Sequence, residues 1–193
     1  MIKKIIFSVL LFVLIFGNNV YAQNIKIADQ PKSIDEFITL RNVLAIEPDG
    51  GAAIFLLALK IYTENPKLGE KCLVISVHKS LLKEGKVYKG YKLDNSDMDF
   101  IKRNLDNNKL IPNSYILGSK PENSYKAELP YEYDFTVNLL GKIKNETKVT
   151  VKCSGADSRR QLILKKNNRG YWKVTTWSSV LANIKDIPDD DDL

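Results

Sequence analysis

His78 is the single histidine of the chain, so a Ser-His-Asp or Cys-His nucleophile has to use it as the base. Ser154 and Asp157 supply the other residue types, and Cys72 lies six positions before His78. On a helix that spacing puts two side chains on different faces, and no G-x-S-x-G elbow surrounds any serine. His78 therefore reads as an ordinary boundary residue. Glu128, Glu132 and Asp134 cluster near one alternating stretch and offer the carboxylate pair a glycosidase needs. Glu132 and Asp134 share the polar side of that stretch, which reads as a solvated strand face. Asp49-Gly50-Gly51 opens a helix, where free amides attract anions. The Lys-Ser/Thr of a P-loop is missing there, and Asp49 is placed to cap the amides itself. No catalytic set is complete and no cofactor is implied.

Ser154 to Arg160 is the stretch best suited to recognition. Asp157, Arg159 and Arg160 fall in a turn between two strands, and with Arg169 the two arginines make three of only five in the chain. Arginine stands out where lysine is the default, because its fork grips a carboxylate or phosphate with two bonds. An internal Asp157–arginine pair is the structural alternative. Trp177 and Tyr171 fall on one side of the last strand by alternation and Trp172 on the other, so one side is expected in the core. The candidate binding residues are Asp157, Arg159, Arg160 and Trp177. Two isolated cysteines and one histidine make no zinc set, and no metal is expected.

Helices must position these residues first, then strands. Ser33-Ile34-Asp35-Glu36 is a capping box that starts a helix carrying Ile34, Phe37, Ile38 and Leu44. A second helix runs from Asp49-Gly50-Gly51 to about Glu64, is apolar nearly all round, and stops at Asn65-Pro66. Glu70 to Leu82 fits a helix, with a β-branched cluster that also suits a strand. Lys89-Gly90-Tyr91 is a turn, and Asp94 caps a fourth helix. After Pro112 the period changes to two: Tyr131 to Leu139, Val149 to Cys153, Leu162 to Leu164, and Trp172 to Val174, with a tight turn at Asn167-Gly170. The expectation is an α+β fold, an N-terminal helical half of about four helices packed on a C-terminal antiparallel sheet of about four strands.

The first residues carry an address. Lys3 and Lys4, an apolar run from Ile5 to Phe16, and Val20-Tyr21-Ala22 have the layout of a cleavable signal peptide. The resulting division is a signal peptide over 1–22, a polar lead-in over 23–32, a single domain over 33–186 and an acidic disordered tail over 187–193. No later segment is long enough for a membrane span. Two lysines in residues 1–22 reduce the formal charge from +6 to +4 on cleavage. A basic exported domain suits an anionic envelope component or another exported protein, and export separates it from nucleic acid. Cys72 and Cys153 permit one disulfide; their apolar surroundings favour two buried thiols.

Several short segments together resemble a known group: Asp49-Gly50-Gly51-Ala52-Ala53, Gly69-Glu70-Lys71, Lys89-Gly90-Tyr91, Pro112-Asn113-Ser114-Tyr115, Ser154-Gly155-Ala156-Asp157-Ser158, and Gly170-Tyr171-Trp172-Lys173 before Trp177-Ser178-Ser179. The group consists of small exported or lipid-anchored bacterial proteins known as a domain of unknown function. The resemblance covers roughly residues 33–186. It implies one α+β domain and a signal sequence, and supplies no activity. The chain has no cysteine where a lipid-anchored member needs one. Helices before a sheet ending in Gly-x-Trp-x-Val are also similar to cone-shaped folds of the nuclear-transport-factor-2 type, which often hold a ligand pocket. The residues favour an exported, non-catalytic binding or structural module of the bacterial envelope, periplasmic or extracellular. The alternatives are an envelope hydrolase using a carboxylate pair, and an inhibitor or chaperone-like partner of another exported protein.

Overall fold

The computed structural model describes residues 20–139 and 145–189. Most of the expected signal segment, residues 1–19, and residues 190–193 of the acidic tail lie outside the described residues. Helix α1 (Ile34–Leu44) starts at the capping residue Ser33, whose hydroxyl accepts from the Glu36 amide at 3.2 Å. The Glu36 carboxylate reaches back one residue further than a standard capping box, accepting from the Lys32 amide at 2.8 Å.

Helix α2 (Pro48–Glu64) is the axis of the core: every residue from Pro48 to Ile61 is buried. Asn65 ends it and caps α3 (Pro66–Ser76) by accepting from the Leu68 amide at 3.1 Å. The helix expected over Glu70 to Leu82 is therefore displaced toward its N-terminus, where Pro66 is tolerated in the first turn. Two glycines let α2 pack closely. A Cβ on Gly69 of α3 would fall 2.2 Å from the Tyr62 Cα, and one on Gly51 would fall 2.7 Å from the Trp172 carbonyl oxygen. Asp49 is not the cap expected; it lies inside the first turn behind Glu47, fully buried. Helix α4 (Asn95–Asn107) begins at Asp94, which accepts from the Ser96 amide at 3.0 Å.

The α+β arrangement holds, with the helices in the N-terminal half, but the expected sheet of about four strands is corrected. The described residues form seven strands. Five make one antiparallel sheet in the order β1-β4-β5-β6-β7: β1 (Val20–Ile27), β4 (Tyr131–Leu139), β5 (Glu146–Val151), β6 (Arg160–Lys166) and β7 (Trp172–Thr176). A separate hairpin joins β2 (Leu82–Tyr88) to β3 (Tyr91–Leu93). The physical reasons differ. Strand β1 sits at the sheet edge, and among its described side chains Ile25 and Ile27 are the buried ones, too few to mark a strand in a segment that reads as polar. The hairpin buries only Leu93 fully; its strands are otherwise lysine-rich and half-exposed or exposed. Its tip is Lys89-Gly90, with φ of 46° and 83°. Two successive positive φ values match the twist of a two-residue hairpin.

The inner face of the sheet presents Tyr133, Phe135, Val137, Val149, Val151, Leu162 and Leu164 to α2. Strand β7 departs from simple alternation, and beyond Val174 a register shift interrupts its pairing with β6 between Ile163 and Leu164. Trp172, Lys173 and Val174 are all buried, and so is Trp177.

Candidate functional site

The loop singled out by its arginines is bonded internally. Arg159 donates from Nη2 to the Asp134 carboxylate at 2.9 Å and to the Asp134 carbonyl at 2.6 Å. Arg160 donates to the Asn183 carbonyl at 3.0 Å. Asp157 pairs with Lys185 at 2.6 Å, not with an arginine. Trp177 is buried, its ring 5.5 Å from that of Phe55 on α2. These residues tie the β5–β6 connection to β4 and to the C-terminal segment. Arg159 and Arg160 each donate from Nη2 to protein oxygens, Arg160 Nε is buried without a partner, and Trp177 belongs to the core.

The other chemistry-bearing residues are likewise separated. Glu132 accepts from Asn24 at 3.0 Å, Asp134 from Arg159, and Glu128 from Lys126 at 2.7 Å. Each of these carboxylates is paired with a different neighbour. His78 precedes a short 3-10 turn (Lys79–Leu81) and its Nδ1 accepts from the Ser80 amide at 3.2 Å. Burial, with Lys165 and Lys173 nearby, holds its pKa below the usual value. Cys72 and Cys153 are separate buried thiols. Burial pushes the Cys72 thiol up to about 12. Ser114 shares a 3.3 Å contact with Cys153 deep in the core. Among the described residues no group of three or more metal-ligating side chains forms, and no helix is long and apolar enough to cross a membrane.

A cleft of about 580 Å³ forms elsewhere, where α1, the end of α3, the β2–β3 hairpin and the β6–β7 turn meet. Val74, Ile75 and Val77 give it an apolar base. The bridge Val77↔Val174 and the bond from the His78 amide to the Val174 carbonyl, 2.9 Å, fasten that base to β7. The walls are basic and aromatic. Arg41 comes from α1, Lys79 from the 3-10 turn, Lys89 from the hairpin tip, Arg169 from the β6–β7 turn and Lys173 from β7. No Asp or Glu lines the cleft among the described residues.

Three of the five wall cations are set against a tyrosine. The Arg41 guanidinium carbon is 4.4 Å from the Tyr171 ring centre, the Lys79 amine 5.4 Å from Tyr91, and the Lys89 amine 5.5 Å from Tyr88. Arg41 Nε is buried with no hydrogen-bond partner, and burial works against the guanidinium charge. The Asn167 side chain accepts from the Arg169 and Tyr171 amides, both at 3.0 Å, and Gly170 takes a φ of 85°. The turn is thus built from its own sequence to present Arg169 and Tyr171. Lys173 is 6% exposed and donates to the Ile75 carbonyl. Burial, reinforced by Arg41, pushes its pKa down to about 7.

Most of these residues escaped the reading of the sequence, since scattered lysines look like a solvated surface. Two of the short segments that carried the resemblance, Lys89-Gly90-Tyr91 and Gly170-Tyr171-Trp172-Lys173, converge on this cleft, and Arg169 was one of the three arginines noted. The chain belongs to the family described as a domain of unknown function (DUF6935), whose model matches residues 29–188. No curated protein and no solved structure matches the chain.

Proposed function

We propose that this domain is a non-catalytic binding module that takes a small organic anion, or an anionic group of an envelope component, into the tyrosine-walled basic cleft. The observation that carries the reading is the lining itself: five basic side chains from five separate elements, with no carboxylate among them. Holding like charges together costs free energy that a bound anion recovers, and a cleft with low-dielectric walls concentrates the field. A single charge-assisted bond contributes about 1.5–3 kcal/mol. The volume is in the range of small-molecule sites.

Export is part of the proposal. Cutting after Ala22 removes the first three residues of β1 and leaves Gln23–Ile27 paired with Tyr131–Phe135. Ile25 and Ile27, which hold the strand to the core, lie after the cut. Mature chain and cleavable leader are therefore compatible. The test is calorimetric titration of the mature chain with citrate, inorganic phosphate and the neutral sugar trehalose at low salt. Binding of an anionic probe that weakens as salt is added supports the reading. Equal binding of trehalose, or heats independent of salt, contradicts it.

A further inference from the structure

Lysines are seldom buried without an acidic partner. Lys60 follows that rule: it is 5% exposed and meets Glu64 at 2.7 Å and Asn113 at 3.1 Å. Lys173 is as deeply buried and breaks the rule. Its hydrogen bond goes to a neutral carbonyl, that of Ile75. The charged groups around it are cationic from every side: Arg41 on α1, Lys79 in the 3-10 turn, Arg169 in the β6–β7 turn, and Lys165 directly across on β6. His78 also senses its charge.

We propose that Lys173 is a covalent capture site, its ε-amine condensing with the carbonyl of an anionic aldehyde or α-keto acid whose carboxylate is held by Arg41 and Arg169. The inference rests on the anion-binding reading of the same cleft. The amine lone pair forms the C–N bond while the carbonyl π pair moves to oxygen. The two amine hydrogens leave with that oxygen as one water, and a C=N bond remains. No electron is gained or lost, and no other reactant is consumed.

Three features suit the step. Lys173 is one of the residues lining the cleft, and its amine is bonded to the carbonyl of Ile75, which lines the same cleft. Its one bond to Ile75 uses a hydrogen and leaves the lone pair of the neutral amine free. Desolvation beside other cations supplies that neutral form near pH 7, as in lysine nucleophiles generally. A pKa lowered from 10.5 to about 7 raises the neutral fraction at pH 7 on the order of a thousandfold.

The experiment treats the full mature chain at pH 7 with glyoxylate and cyanoborohydride, which reduces and fixes an imine, followed by peptide mapping. The expected result is one adduct per chain, at Lys173, forming at least about tenfold faster than at any other lysine. Citrate should slow it, R169Q should slow it, and K173M should abolish it. Adducts spread over exposed lysines of the folded wild-type chain, with Lys173 no faster, overturn the proposal even if K173M fails to fold. If citrate binds by calorimetry but glyoxylate never marks Lys173, the covalent step is wrong and the anion cleft stands. If Lys173 is marked but neither citrate nor R169Q alters the rate, the anionic anchoring is wrong and both readings fall.

Discussion

The guanidinium of Arg41 lies over the ring of Tyr171, 4.4 Å from its centre, and this stacking joins α1 to the β6–β7 turn at the basic cleft. A cation over an aromatic face gains about 0.5–2 kcal/mol, more as water is excluded. The ring also fixes the plane of the fork, which decides how it meets a carboxylate. Y171L should weaken citrate binding about three- to tenfold with every cation in place. R41K should cost about tenfold although the charge is kept, because an ammonium lacks the fork. Titration calorimetry on the two variants checks both.

Stability should carry the mark of Lys173. Its folded pKa lies below the unfolded value of 10.5, at about 7. Between those values the unfolded chain binds the extra proton, so stability rises with pH. The burial penalty is fully present below pH 7 and is relieved as pH approaches 10.5. K173M should therefore stabilise the fold most below pH 7, and its advantage should shrink toward pH 10, with a slope up to about 1.4 kcal/mol per pH unit. Urea unfolding at a series of pH values gives the difference directly.

Arg159 should behave as a structural residue. Its pair with Asp134 is about one-third exposed on either side, and R159A should cost on the order of 1 kcal/mol of stability. Citrate affinity should be unchanged. A variant of unaltered stability that loses citrate binding would return the ligand site to the β5–β6 loop.

The edge strand gives a test of export and fold together. The protein recovered from outside the cytoplasm should begin at Gln23 by mass spectrometry. I27A should cost about 2–4 kcal/mol, because Ile27 is 1% exposed and its removal leaves a cavity. Retention of Met1 in a cytoplasmic protein would contradict the leader reading.

Both thiols should resist alkylation in the folded chain and react fully in denaturant without reductant, since each is buried and unbridged. Failure to label in denaturant would mean a Cys72–Cys153 bridge.

Much of the fold was legible because its signals are local. Ser33, Asp94 and Asn65-Pro66 mark helix ends by side-chain bonds or a missing amide, and the alternation from Tyr131 to Leu139 marks a strand with one buried face. Strand β1 and the hairpin were not legible, because an edge strand burying Ile25 and Ile27 and a ribbon burying Leu93 leave almost no pattern. The cleft was hidden for another reason. Arg41, Lys79, Lys89, Arg169 and Lys173 are far apart in sequence and ordinary one by one; their meaning comes from convergence, which only tertiary structure creates. For Asp157, Arg159 and Arg160 the sequence signals charge and fork without saying which internal partner each holds: Lys185, Asp134 and the Asn183 carbonyl in the fold.

The most direct measurement is citrate affinity at low and high salt for the wild-type chain and for R169E. Arg169 is exposed on a turn held by Asn167, so the reversal should leave the melting temperature unchanged. An anion-binding cleft gives a wild-type affinity that falls with salt and at least about a tenfold loss in R169E, equivalent to about 1.4 kcal/mol. Equal affinities for the two proteins, or no dependence on salt, would contradict it.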